Sequence, residues 1–349
     1  MLQPIKVQIK PREVSQNLLK QVDNKRVREV LERRFGLKSG KKETLESIGR
    51  AYGITRERVR QIESDGLRVL ARPAVYGLAE SVFAALESHL KEHGGVAEEA
   101  KLMRSIAGEK DHPHVEFLLT VGKQFQKTRE TDEAHEMWHL GKDAKTSADK
   151  IIDGVIARLK EKKNPVSKDE MLALLASEAK KVTGLEEKEN VLWSYLGTTK
   201  MIAANPYGEY GLVSWPTIRP KGVRDKAYVV LSKSGKPMHF REIASSINAL
   251  AWTKKPAHFQ TVHNELIKAG DRFVLVGRGL YALRDWGYTP GTVSEVMKDV
   301  LKNTGRPMSR EDLVSKVLEK RFVKENTILL NLQNRSVFSK DAEGKYFLV

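Results

Sequence analysis

Cysteine is absent from the 349 residues, which excludes disulfides, thiolate zinc fingers, iron–sulfur clusters and cysteine nucleophiles. Long apolar runs are missing as well. No stretch reaches the roughly 18 residues that suggest a membrane-spanning helix, and no charged-then-apolar leader with a small-residue cleavage site is found. The expectation is a cytoplasmic, nucleoid-associated protein with no membrane partner. There is also no P-loop, no dinucleotide-binding glycine pattern and no Ser/His/Asp arrangement with local support. No catalytic residue, cofactor, metal or small-molecule substrate is therefore expected.

Acidic residues are outnumbered, 45 against 61 Lys and Arg, for a net charge of +16. The excess is concentrated at one end. Residues 1–75 hold 18 Lys and Arg but only 9 Asp and Glu, a net +9. Such density suits a phosphate-facing surface, because neutralising phosphates releases condensed counterions. The composition, 40% apolar and 30% charged, favours folded, helix-rich domains over disorder. The length exceeds what one core needs, so several small domains are expected.

Helix-turn-helix signals fill the basic end. Val27, Val30, Leu31 and Phe35 recur at helical spacing, and Gly36 ends that helix. After the basic loop 38–42, Thr44 caps a short helix with Leu45, Ile48 and Tyr52 on its inner side. Gly53 suits a tight turn, and Thr55 caps a third helix. There Val59, Ile62 and Gly66 share an inner face, while Arg56, Glu57, Arg60 and Gln61 project from one polar stripe near the N-terminal end. Arg can bond guanine bidentately, Gln can pair with adenine, and Glu can accept from cytosine. Arg26, Arg34, Arg58 and Arg68 lie where phosphate contacts would position that helix.

The strings Arg34-Phe35-Gly36-Leu37, Thr44-Leu45-Glu46-Ser47-Ile48-Gly49 and Ile54-Thr55-Arg56-Glu57-Arg58-Val59-Arg60-Gln61-Ile62-Glu63 resemble region 4 of primary bacterial sigma factors. The resemblance covers residues 25–72. It implies a domain that recognises the promoter −35 element in double-stranded DNA and docks on the β flap of core RNA polymerase. Position by position, it implies base reading by Arg56, Glu57, Arg60 and Gln61, and backbone contact by Arg26, Arg34, Thr44 and Glu46. The family's upstream domains, which bind the polymerase clamp and melt the −10 element, have no counterpart here, so a complete sigma factor with promoter-opening activity is not expected.

The rest of the chain repeats with a period of about 70 residues. Leu159, Leu231 and Leu301 each precede a proline by six, at Pro165, Pro237 and Pro307. Each proline opens a helix pattern with an acid at Glu170, Glu242 or Asp312, as in a capping box. About 40 residues on come Gly208-Glu209-Tyr210-Gly211-Leu212, Gly279-Leu280-Tyr281-Ala282-Leu283 and Gly344-Lys345-Tyr346-Phe347-Leu348, which read as second strands of hairpins. Core packing is the preferred role of the three tyrosines and of Trp215 and Trp286.

The fold class expected is mainly α with small β-wings: a helix-turn-helix followed by tandem winged-helix domains. The divisions are 1–75, a degenerate winged-helix-like unit at 77–145, winged-helix-like units at 146–217 and 289–349, and 218–288 between them. Residues 236–288 resemble the HARE-type helix-turn-helix, a family that includes the N-terminal domain of the polymerase delta subunit. The recognition helix that this implies is surrounded by Lys254, Lys255, His258, Gln260, Thr261 and His263, a second candidate surface for nucleic acid or a protein partner.

The functional expectation is a sequence-specific transcription regulator or polymerase accessory factor. A polymerase-docking interaction factor with little DNA binding is the alternative. His135-Glu136-Met137-Trp138-His139 matches the HExxH pattern of zinc metallopeptidases, a weaker alternative because no third ligand stands at family spacing.

Overall fold

The computed structural model describes residues 2, 4, 5, 9–250, 252 and 255–349. The chain is mainly helical, with four small antiparallel sheets among the described residues. It divides into two compact units, Met1–Ala204 with Gly208–Val213, and Asn205–Tyr207 with Ser214–Val349.

The first four helices are α1 (Pro11–Lys20), α2 (Lys25–Phe35), α3 (Leu45–Tyr52) and α4 (Arg56–Leu70). Local chemistry sets their ends. The Asn24, Thr44 and Thr55 side chains accept backbone N–H groups at the starts of α2, α3 and α4, while Gly36 and Gly53 close α2 and α3 in the left-handed conformation. Gly36 has a second reason to be glycine, since a Cβ there would stand 2.7 Å from the Lys41 backbone. Val30, Ile48, Val59 and Ile62 form the small core that holds α2, α3 and α4 together.

The opposite side of α2 belongs to a larger core. After the short helix α5 (Pro73–Tyr76), the chain forms α6 (Glu80–Lys91), β1 (Val96–Glu98), α7 (Glu99–Ile106), α8 (His112–Val121), β2 (Phe125–Thr128) and β3 (Met137–Leu140). Leu18 and Leu19 of α1, Leu31 and Phe35 of α2 and Leu70 of α4 pack with Phe83, Leu86, Phe117 and Trp138 in one cluster. The Phe35 and Phe117 rings meet edge to face, 5.2 Å between centroids. Ser15 Oγ lies 2.6 Å from His114 Nδ1, tying α1 to α8. The helix-turn-helix is thus backed by α1 and by residues 80–140 within a continuous hydrophobic layer.

One arrangement then recurs. α9 (Gly141–Lys162), α10 (Lys168–Thr183), α11 (Glu189–Thr198), β4 (Ile202–Ala204) and β5 (Tyr210–Leu212) follow in the first unit. In the second come α12 (Val223–Ser234), β6 (Met238–His239), α13 (Phe240–Ala249), α14 (Phe259–Lys268), β7 (Phe273–Gly277) and β8 (Leu280–Leu283). The chain ends with α15 (Val293–Thr304), α16 (Arg310–Lys320), α17 (Glu325–Leu332), β9 (Phe338–Lys340) and β10 (Tyr346–Leu348). Each segment runs helix, short extended residue or strand, helix, helix, hairpin.

The backbone pairing shows the correspondence. Val166 pairs with Tyr210, Met238 with Tyr281 and Met308 with Tyr346, all antiparallel. Ala97 pairs with Trp138 in the same way, and the sheet order β1-β3-β2 matches β6-β8-β7. The residue just after each proline of the repeat, or its equivalent Ala97, is therefore sewn to the aromatic residue of the last strand.

The HExxH segment is not helical. Met137–Leu140 is a strand, so the two histidines do not stand one helical turn apart. His139 Nδ1 lies 2.7 Å from the Gly141 carbonyl oxygen and Nε2 lies 2.9 Å from Thr128 Oγ1, so both ring nitrogens are engaged. Glu136 faces Lys127 at 3.1 Å. The pattern is a strand edge held by hydrogen bonds, with Trp138 in the core.

Candidate nucleic-acid interface

α4 presents two unlike faces. Val59, Ile62, Gly66 and Leu70 are buried, at the three- and four-residue spacing of one helical stripe. Gly66 lies against α2, where a Cβ would come within 2.8 Å of both Leu31 Cδ1 and Val27 Cγ1. The opposite face carries Arg56, Glu57, Arg60 and Gln61, all exposed. Four groups able to pair with base edges are thus brought onto one stripe of one helix, near its capped N-terminus.

These side chains are ordered by one another. Arg60 Nη2 donates to Glu57 Oε1 at 2.7 Å, and Arg60 Nε reaches the same carboxylate at 3.0 and 3.1 Å. The pairing lowers the Glu57 pKa and raises that of Arg60. Arg58 Nη1 donates to Gln61 Oε1 at 3.0 Å. The Arg56 guanidinium makes no hydrogen bond or ion pair among the described residues and extends into solvent. Spacing of three places each acceptor beside its donor one turn along the helix.

The flanking positions differ in availability. Thr44 accepts from Ser47 N at 3.1 Å, leaving its hydroxyl proton to donate outward. Glu46 pairs with Arg50 at 2.5 Å, and Arg68 with Asp65 at 3.0 Å; all are exposed. Arg26 is exposed and lies over the Tyr52 ring, 5.0 Å from its centroid. Arg34 is different. Its Nη1 donates to the Glu43 carbonyl at 2.5 Å and its Nε to Glu63 at 3.2 Å, so it fastens the end of α2 to the loop and to α4.

A network that sequence reasoning missed surrounds Arg34. Arg33 holds both Glu43 carboxylate oxygens, at 2.8 and 2.7 Å, which keeps Glu43 below the ordinary carboxylate range. Tyr52 donates to Glu29 at 2.8 Å. Lys42, in the basic loop, forms an ion pair with Glu116 of α8. The signal available in the sequence was the density of Arg and Glu around residues 26–43; their pairing depends on how three helices meet.

The second candidate surface is only partly brought together. Lys254 lies outside the described residues. Lys255, His258, Gln260 and Thr261 are exposed around the start of α14, with His258 Nδ1 accepting from Gln260 N at 3.2 Å. His263 turns inward, its ring 4.5 Å from Phe240 and 5.9 Å from Tyr281. It packs rather than projects.

Among the described residues no single helix is long and apolar enough to cross a membrane. No group of three or more His, Asp or Glu able to hold a metal ion occurs among them either.

Residues 24–72 match the family described as Sigma-70, region 4. Over 45 residues the chain is 56% identical to RNA polymerase sigma factor SigA of Listeria monocytogenes, covering 13% of this chain and 12% of the relative. SigA of Microcystis aeruginosa is 47% identical over 68 residues, 18% of this chain and 16% of the relative. SigA of Nostoc sp. is 46% identical over 68 residues, 18% and 17% respectively. The chain thus spans less than a fifth of the length of these relatives. The helix-turn-helix geometry and the similarity fall on the same residues.

Proposed function

We propose that this protein is a sequence-specific DNA-binding transcription regulator or RNA polymerase accessory factor that reads a −35-like promoter element in the major groove without melting it. The observation that carries the reading is the exposed stripe Arg56, Glu57, Arg60 and Gln61 on a capped helix, within a segment similar to region 4 of sigma factors. Arg56 and Arg60 take guanine edges, Gln61 an adenine, and Glu57 a cytosine amino group, while it orients Arg60. Arg26, Arg58, Arg68 and the Thr44 hydroxyl take phosphates. Arg34 is reassigned as an internal fastener, and Glu46 acts by holding Arg50. Core RNA polymerase is the proposed protein partner, because the relatives are named as its sigma factors.

Tandem winged-helix units follow the reader, with the HARE-type unit at 218–288. Tethered modules raise the affinity of a small reader through effective concentration. The test is selection from a randomised duplex pool at two salt concentrations, with and without core polymerase. The expected result is enrichment of a −35-like sequence that disappears in the Arg60→Ala/Gln61→Ala double variant. Enrichment only with polymerase would define an accessory factor. Unchanged preference in the double variant would overturn the base-reading assignment, and no enrichment in either condition would favour a docking factor that barely touches DNA.

A further inference from the structure

Four segments of the chain share a notch at a corresponding place. It lies between the first residue of the second helix, the fifth residue of the third helix and the aromatic residue of the last strand. In three of them the chain fills it.

In the first, Lys127 lies opposite Trp138 in the strand register, 5.5 Å from the ring centroid. Its ammonium is surrounded by Glu99 at 2.9 Å, Glu136 at 3.1 Å and Glu116 at 3.2 Å. In the second, the Trp193 ring fills the place, 5.4 Å from Tyr210, with Lys168 Nζ above it at 5.6 Å. In the third, His263 fills it, tilted against Phe240 at 4.5 Å and edge-on to Tyr281 at 5.9 Å.

The fourth is open. Its third helix carries Leu329 at the fifth position, and a cleft of about 880 Å³ remains, walled by Leu329, Phe338 and Tyr346 and lined by Arg310, Arg335 and Lys340. Lys340 lies opposite Tyr346, 4.8 Å from its ring centroid, as Lys127 lies over Trp138. Its counterions are missing. By position, Glu99 is replaced by Arg310, Glu116 by Leu329 and Glu136 by Gly344. Neither Lys340 nor Arg335 has an ion-pair partner among the described residues, and Arg310 reaches only its exposed neighbour Glu311, at 3.3 Å. The first copy holds both halves of a charge set, and the last holds only the cationic half.

We propose that this C-terminal cleft docks an acidic segment of a protein partner, whose carboxylates take the places that Glu99, Glu116 and Glu136 occupy in the first copy. Two guanidinium groups favour bidentate carboxylate geometry. Leu329 and the cleft wall offer apolar contact for an aliphatic side chain between the acids. A phosphodiester backbone would leave that wall uncovered.

The probe is a fluorescent ten-residue peptide of Asp and Glu around a central Leu, titrated into the full-length protein and read by anisotropy. Saturable binding is expected, with no binding of the same peptide carrying Lys for each acid. Arg335→Glu/Lys340→Glu should weaken it at least about tenfold. Arg310→Glu, which restores the acid of the first copy, should weaken it too. Both changes fall on exposed side chains, and circular dichroism checks that folding is kept. Arg60→Ala/Gln61→Ala should leave peptide binding unchanged, so failure here is separable from failure of the base-reading assignment. Absence of saturation, or binding that survives the charge reversal, would overturn the proposal. It would equally be overturned if the reversal weakened labelled single-stranded or duplex DNA tenfold and spared the peptide, because the cleft would then serve nucleic acid.

Discussion

Arg60 Nη2 rests 2.7 Å from Glu57 Oε1 on the open face of α4, so a side chain proposed to read a base is already held by a neighbouring carboxylate. Both groups are exposed and the pair is one turn apart on one helix, so its worth to stability is small. In the proposed recognition its role is orientation.

Glu57→Gln removes the charge from that hold and one of its two acceptor oxygens while keeping the side-chain size. Binding to unrelated duplex should strengthen, since a negative charge leaves a phosphate-facing surface. The ratio of target to non-target affinity should fall by about tenfold, within the roughly 1–3 kcal/mol of one bidentate base contact. Competition binding at fixed salt measures it, and an unchanged ratio would show that Glu57 neither reads nor orients.

Phosphate binding can be quantified through salt. Removing one phosphate-neutralising cation should lower the slope of log affinity against log salt by about 0.9, so Arg58→Ala and Arg68→Ala should each flatten it by that amount. Arg34→Gln should not. Its guanidinium is spent on Glu43 and Glu63, and the expected effect is a lower unfolding midpoint with the slope intact.

Gly66→Ala pits helix propensity against packing. Alanine favours a helix interior by about 1 kcal/mol over glycine, yet here the added methyl meets Leu31 and Val27 at 2.8 Å. Overpacking costs about 1–3 kcal/mol and should prevail, giving net destabilisation by urea unfolding. A more stable variant would mean that α2 moves aside without penalty.

Stability should also depend on Glu99. Burial, then the hydrogen bond with Glu136, pushes its pKa up to about 7. The native chain therefore binds more protons than the unfolded chain between the ordinary carboxylate range and about pH 7, so this contribution is full at low pH and lost as pH rises through that value. Glu136, held low first by the same bond, acts in the opposite sense and at lower pH. The stability of Glu99→Gln relative to the parent should rise from about pH 5 to about pH 8. A difference constant with pH, by urea midpoints, would refute the assignment.

The helix punctuation is legible in the sequence. Thr44 and Thr55 cap, and Gly36 and Gly53 close, because those signals act within one turn of the chain. The tyrosines of the repeat are legible for the same reason, as fixed offsets from a turn. What pairs with what is less so. That Leu18 and Leu19 would lie in a core with Phe83 and Phe117, or that Lys42 would reach Glu116, depends on contacts across more than 60 residues, which periodicity does not encode. The direction of a side chain is the other blind spot. Arg34 and His263 fit the motif pattern but turn into the fold, because a neighbouring helix supplies their partners. The HExxH pattern fails similarly, its strand set by pairing with β1 and β2.

The loop before α3 is held near its start by Lys38 on Glu32 and at its end by Lys42 on Glu116 and Arg33 on Glu43. On the proposed reading, the helix-turn-helix reaches DNA already in its binding shape. Little ordering remains to slow the encounter, so association should be governed by long-range attraction: the on-rate should fall steeply as salt is added, while complex lifetime changes far less.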